Sequence, residues 1–218
     1  KYHSYGKLVG RDLSRSSSKV SLEEYKPFRA GDFLLWDPCT HQDLHDSFHT
    51  TLGVAHPAWN LQCAVMSTET LGGAIDLAMG GRDNLFNHHE NTRAVAFGTL
   101  HGEYSKYWMH VRHLLLNGEK MSKTRGNTIH LSDLEKKGFS PQEVRMLLIS
   151  VHYRKRLDFT WDYVSRIKKR SAKMAEAVAK IRKADGLGAP EFRALLSGVK
   201  KEFESAMGDD IGVPKALA

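Results

Sequence analysis

Two lysines three residues apart, Lys120 and Lys123, stand in the string Lys120-Met121-Ser122-Lys123-Thr124, which follows a Gly118 turn and precedes Arg125-Gly126-Asn127. Hung on small and polar neighbours, their ammonium groups can close over a triphosphate. Such a pair accelerates a reaction most if it meets charge only as the bond from an α-phosphorus to a pyrophosphate leaving group breaks. Only interactions that are stronger in the transition state lower the barrier. The plain alternative for a lone Lys-x-x-Lys is an exposed basic hairpin, whereas the full five-residue string followed by Arg-Gly-Asn is much rarer.

The chain must supply elements that hold this loop. Its 218 residues, 41% of them hydrophobic, can bury one core and a smaller helical appendage. No run of apolar residues approaches the roughly 20 that a membrane span needs, and the first thirty residues are polar and Ser-rich. With only two cysteines, Cys39 and Cys63, and no paired spacing, a reducing compartment is expected and the cytoplasm is the default location. Charge is uneven: between Arg154 and Lys183 eleven Lys and Arg face three acids, Asp158, Asp162 and Glu176, so this stretch alone exceeds the +7 of the whole chain. A basic helical face of this kind is the footprint expected for phosphate backbones, and its plain alternative is a solvated helix surface.

The pattern implies an α/β arrangement. Residues 1–53 read as a connecting segment with short strands, 54–155 as an α/β half carrying the lysine loop, and 156–218 as a basic helical domain. Within the second segment a helix is expected over Asn60–Thr70, stopped by Gly72-Gly73, then a strand Ile75–Met79 ended by Gly80-Gly81, and a helix His88–Leu100. His110–Leu116 reads as a strand that turns at Asn117-Gly118. Ser132 with Glu135 fits a capping box, as does Ser140-Pro141-x-Glu143, which opens an apolar face at Val144, Leu147 and Leu148. After Trp161, expected to anchor the helical part as core, Ile167, Met174, Val178 and Ile181 recur at near-helical spacing and read as core. Asp185–Pro190 breaks that helix, and a last one runs from Glu191 into Met207. Of the 12 histidines, His41, His45 and His49 sit in a polar loop and are not expected to bind metal, nor is Cys39 expected to be more than an ordinary thiol. His88 and His89 point about 100° apart on a helix, which keeps them from serving one metal together.

The lysine string resembles the KMSKS signature of class I aminoacyl-tRNA synthetases, with Thr124 at the final Ser position. Trp59-x-x-x-Cys63, the run Gly80-Gly81-x-Asp83-x-x-Phe86-x-His88-His89-Glu90-Asn91, Tyr107-Trp108-Met109-His110, His152-Tyr153-Arg154 and Phe203-Glu204-x-Ala206-Met207-x-Asp209-Asp210 are similar to the cysteinyl branch of that family. The resemblance covers nearly the whole chain. It implies the second half of a Rossmann-like catalytic domain followed by an α-helical, tRNA-contacting domain. It also implies cysteine–tRNA ligase chemistry: carboxylate attack on ATP, with Mg2+ in attendance, gives an aminoacyl-adenylate that is passed to tRNA. Lys120 and Lys123 would stabilise pyrophosphate, with Met121 and Ser122 part of the ATP-binding loop. Gly80, Gly81 and Asp83 would lie against the adenosine, Trp59 would wall the amino-acid pocket, and the basic helices 154–183 would meet tRNA.

By the same resemblance, Cys63 and His88 match two of the four ligands of a zinc ion that selects cysteine by thiolate coordination. The family's glutamate ligand falls on Thr92, while Asn60, Gln62 and Ala78 stand where the pocket usually carries His, Glu and His. No HIGH-like motif precedes residue 60, so the chain is expected to be one piece of a longer polypeptide and inactive alone. Two alternatives remain open: a paralogue that ligates an activated amino acid to a small amine, and a non-catalytic RNA-binding paralogue.

Overall fold

Turns that only glycine or asparagine adopts cheaply set many of the element boundaries of the chain, which a computed structural model describes over residues 5–10, 32–38, 47–51, 53–184 and 190–218. Two units result, Lys1–His110 and Val111–Ala218, in a mixed α/β architecture of helices and small sheets.

In the first unit, β1 (Trp36–Pro38), β2 (Phe48–Thr50) and β3 (Gly53–Pro57) form an antiparallel sheet in the order β1-β3-β2. Helix α1 (Trp59–Leu71) ends where Gly72 takes a φ of 77° and its N–H bonds to the Thr68 carbonyl. Strand β4 (Ile75–Gly81) pairs with β5 (Ser105–Val111), and between them lie a π-helical turn (Leu85–Glu90) and α2 (Asn91–Leu100). Ala64, Ala78, Ala96 and Tyr104 form the core, with Ile75, Val95, Leu100 and Trp108 against it. Three alanines there let the helices and strands approach closely.

One carboxylate organises this unit. Glu90, with no exposure to water, accepts hydrogen bonds from the backbone N–H groups of Leu8 and Val9 at 2.9 and 3.2 Å and from Arg93 at 3.2 Å. Arg93, itself buried, donates two further bonds of 2.7 Å to Glu103. Tyr5 adds a hydrogen bond to Asn91 and stacks on Phe33, so segments 5–10 and 32–38 are held to this helix.

In the second unit, β6 (Leu114–Leu116) pairs antiparallel with β7 (Glu119–Lys120) and parallel with β8 (Leu157–Phe159). The chain runs through a 3-10 turn (Lys123–Arg125), α3 (Leu131–Lys136) and α4 (Pro141–Ile149) before β8, then through α5 (Trp161–Lys183), α6 (Pro190–Gly208) and α7 (Val213–Ala216). Leu134, Leu147, Leu157, Phe159, Val164 and Ile167 make the core, and Met121, Ile129, Phe139 and Val144 pack on it. The end of α6 is fastened by His152-Tyr153-Arg154: His152 bonds the Asp210 carbonyl at 2.9 Å, and Tyr153 and Arg154 both bond its carboxylate. These contacts, Arg154 foremost, hold the Asp210 carboxyl well below the usual range.

Several sequence expectations need correction. The strand expected over His110–Leu116 is two strands, because Arg112 turns its N–H to the Tyr153 carbonyl at 2.9 Å and leaves the first sheet. Strand β4 runs on through Gly80 and Gly81, and the helix expected from His88 begins with the π turn. Helix α3 starts after His130, with the Asp133 carboxylate taking the His130 N–H at 2.9 Å, so Ser132 and Glu135 are not its capping pair. Leu148, Met174, Val178 and Ile181 are exposed, and Trp161 is 41% exposed, edge-on to Phe159 with the Lys137 ammonium over its face. The break at 185–190 falls mostly outside the described residues, as do Cys39, His41 and His45. His49 is exposed on β2.

Removing the Glu90 carboxylate strands two half-buried N–H groups and takes from the buried Arg93 one of its two carboxylates. Glu90→Ala is therefore expected to lower unfolding free energy by about 3 kcal/mol, checked by urea unfolding.

Candidate active site

The lysine loop grows out of the β6–β7 hairpin. Asn117 and Gly118 carry φ angles of 51° and 84°, the double left-handed turn that matches strand twist, and the Gly118 N–H is held by the Asp158 carboxylate at 2.9 Å. Lys120 ends β7, and Met121 points into the core while its N–H bonds to the Leu114 carbonyl at 3.2 Å. Ser122 caps the following 3-10 turn, its hydroxyl accepting the Arg125 N–H at 3.2 Å, and Gly126 closes that turn at a φ of 64°. Lys120 and Lys123 are both exposed. The side-chain amide of Asn127 accepts a hydrogen bond from the Ser122 N–H at 2.9 Å and donates one to the Lys120 carbonyl at 3.1 Å. Sequence reasoning gave Asn127 and Asp158 no role; Asn127 stood inside the rare string, and nothing local marked Asp158.

The other site residues lie in the first unit. Trp59, 57% exposed at the start of α1, stacks on His88 with ring centroids 3.7 Å apart. His88 is buried, and its Nδ1 donates to the side-chain Oδ1 of Asn60 at 2.8 Å, which leaves the lone pair on Nε2. Cys63 is half-buried on the same helix, and burial pushes its thiol up, partly offset by a hydrogen bond with Trp59. His89 turns the other way, its Nδ1 2.8 Å from Nε2 of His110, with the Trp108 ring 5.3 Å from its own. Burial, then the neighbouring imidazoles of His110 and His88, bring His89 down to about 4, and burial also lowers His88.

Glycine at position 80 has an internal reason: a Cβ there would stand 2.4 Å from Cε1 and 2.8 Å from Nε2 of the His89 ring. That ring is wedged among Trp108 and His110 and has little room to yield. At Gly81 a Cβ would meet the Asp83 carboxylate at 2.4 Å. The structure thus brings Trp59, Asn60, Cys63 and His88 together, sets Gly80 against His89, and places Lys120, Met121, Ser122 and Lys123 on one loop of the other unit.

Residues 1–169 match the family described as tRNA synthetases class I (C) catalytic domain. The chain belongs to that family. It is 35% identical over 226 residues to a cysteine–tRNA ligase of Leptospira interrogans and 33% identical over 227 residues to one of Chlamydia abortus, in both cases over 100% of this chain. It spans 48% and 47% of those relatives, about half their length.

Set against the zinc site that the family resemblance implies, the donors do not fit. Among the described residues no three His, Cys, Asp or Glu side chains gather closely enough to hold a metal ion. Cys63 and His88 remain as two donors, but Thr92 brings a hydroxyl where a carboxylate would be required, and that buried hydroxyl has no hydrogen-bond partner among the described residues. Glu90 cannot substitute, since its carboxylate is spent on Leu8, Val9 and Arg93.

The depressed His89 gives a signed pH dependence. Above its unfolded value of 6.5 neither state is protonated; between 6.5 and about 4 the unfolded chain takes up the proton and the folded one does not. Stability contributed by the neutral ring is therefore whole above 6.5 and lost progressively as pH falls to about 4. Urea unfolding across this window should show a falling midpoint in the parent protein and a shallower fall in His89→Phe.

Proposed function

We propose that the protein containing this chain is a cysteine–tRNA ligase, activating its amino acid with MgATP and passing it to tRNA. The observation that carries this reading is the Lys120–Lys123 loop, exposed at both ammonium groups and anchored between them by Met121, in a chain alignable end to end with cysteine–tRNA ligases. The first unit would supply the amino-acid pocket, with Trp59 as its wall, and the turn at Gly80, Gly81 and Asp83 would receive adenosine. Both belong to what the proposal reads as the second half of a Rossmann-like domain (54–155), with 156–218 as the helical tRNA-contacting part.

In this mechanism the amino-acid carboxylate attacks the α-phosphorus of ATP, forming the mixed anhydride and expelling pyrophosphate. Lys120 and Lys123 meet the charge that grows on the leaving group, so their contribution falls mainly on the transition state. The terminal ribose hydroxyl of tRNA then attacks the activated carbonyl and releases AMP. Its relatives among bacterial cysteine–tRNA ligases support the cytoplasm as the working compartment.

Helix α5 favours tRNA as partner. Lys169 and Lys173, one turn apart and exposed, lie on the same helical face as Arg166 and Lys180. Arg166 and Lys180 are paired with Asp162 and Glu176, and Lys168 is committed within the fold, its ammonium 2.6 Å from the Gly138 carbonyl at the end of α3 and over the Phe139 ring. The changed pocket residues Asn60, Ala78 and Thr92 favour a second reading, in which a different amino acid is activated and handed to a small amine.

Two measurements separate these. In amino-acid-dependent ATP–pyrophosphate exchange by the full-length protein, cysteine should support turnover, and Lys120→Ala should cut kcat by about 10²-fold with the KM for the amino acid little changed; exchange with some other acid alone supports the second reading. For tRNA, the double reversal Lys169→Glu with Lys173→Glu should flatten the slope of log affinity against log salt by about one per lost phosphate contact. An unchanged slope removes this face from the interface.

A further inference from the structure

We infer that Asn127 is a positioning residue for the two loop lysines, holding the peptide groups on either side of Met121 in one fixed arrangement. This rests on the proposed pyrophosphate role of Lys120 and Lys123 and adds to it a group that touches neither ATP nor the amino acid.

The geometry is specific. Asn127 Oδ1 accepts from the Ser122 N–H at 2.9 Å while its Nδ2 donates to the Lys120 carbonyl at 3.1 Å. One carboxamide thus bridges an acceptor and a donor two residues apart, and only one orientation of the amide satisfies both. Between these atoms lies Met121, whose side chain packs on the core of the second unit. The loop backbone is therefore pinned from inside by a thioether and along its edge by an amide. Lys120 leaves this frame from the end of β7, and Lys123 leaves it from the first residue of the 3-10 turn that Ser122 caps.

The need for such a bridge follows from the loop's other properties. Lys120, Lys123, Thr124, Arg125 and Gly126 are all exposed, and β7 is two residues long, so the sheet alone holds little of the loop. Like charges close together also repel. The loop is also restrained by the Asp158 bond to Gly118 at its entry, by the Met121 N–H to Leu114, by the Ser122 cap and by the Arg125–Glu119 ion pair at 4.0 Å; Asn127 adds a bridge from the Lys120 carbonyl to the Ser122 N–H. Freed of Asn127, the peptide planes beside Met121 can rotate, and each lysine samples a wider arc. Misplacement of a reacting group by about 1 Å can cost on the order of 10²-fold in rate.

The substitutions discriminate by hydrogen-bond sense. Asn127→Ala removes both bonds. Asn127→Asp keeps an acceptor for the Ser122 N–H but sets a carboxylate oxygen against the Lys120 carbonyl, and a residue that merely filled space would tolerate it.

The experiment is ATP–pyrophosphate exchange by the full-length protein and both variants, paired with amide hydrogen exchange at Ser122. Expected are a fall in kcat of about 10- to 100-fold in both variants, a KM for the amino acid within about twofold of the parent, and faster exchange of the Ser122 amide in Asn127→Ala. Parent-like kcat in Asn127→Ala, or a loss that Asn127→Asp fully restores, overturns the positioning role. If the parent protein supports no exchange with any amino acid, the proposed function fails separately. The amide measurement still decides the bridge, because unchanged Ser122 protection in Asn127→Ala overturns it.

Discussion

A carboxylate with no exposure to water must find every hydrogen bond inside the protein, and much of the first unit is arranged to satisfy one. Leaving such a group unpaired costs several kcal/mol, so its partners are constrained as tightly as any core contact. Glu90 takes the N–H groups of Leu8 and Val9 and one arm of Arg93, whose other arm reaches Glu103. These bonds tie the start of α2 to a segment more than eighty positions earlier, and with it the two residues just before Glu90. His88 is thereby set under Trp59 and His89 against Gly80, so the residues proposed for the amino-acid pocket inherit their geometry from an ion pair behind them.

The second unit solves the opposite problem. In the proposed role its lysines must stay charged and reachable, which forbids burying them, yet exposed side chains on a loop carry much conformational freedom to lose. The solution is to anchor the backbone and leave the side chains out: a left-handed turn at Asn117-Gly118, a methionine in the core, a serine cap and the Asn127 amide. Further along, cations that a sequence reading would assign to RNA are spent internally. Lys168 completes the end of α3, and Arg154 clamps Asp210 at the end of α6.

Local chemistry made some of this legible in the sequence and long-range contact hid the rest. Gly72, Asn117-Gly118 and the Ser140–Glu143 box announce themselves because each satisfies its own backbone within a few residues, and the structure keeps all three. Ser132 with Glu135 met the same spacing rule and lost to His130 with Asp133, since two overlapping candidates satisfy one pattern and the chain's approach to the helix selects between them. Met174, Val178 and Ile181 share a face yet lie exposed, for periodicity shows that residues are neighbours and not what covers them. The family and the lysine loop were legible as a rare string. The Asn60–His88 contact and the Asp158 bond to Gly118 join positions 28 and 40 residues apart, and no local signal announces either.

The central claim is that this fold serves to join an amino acid to tRNA, and transfer is its most direct test. The full-length protein would be incubated with ATP, radiolabelled cysteine and total tRNA, and label in alkali-labile ester linkage to the tRNA would be counted. Stable labelling that needs both ATP and an intact tRNA 3′ end is the predicted result. Cysteine-dependent ATP turnover with no label on tRNA, and the activated acid recovered on a small amine instead, would contradict it.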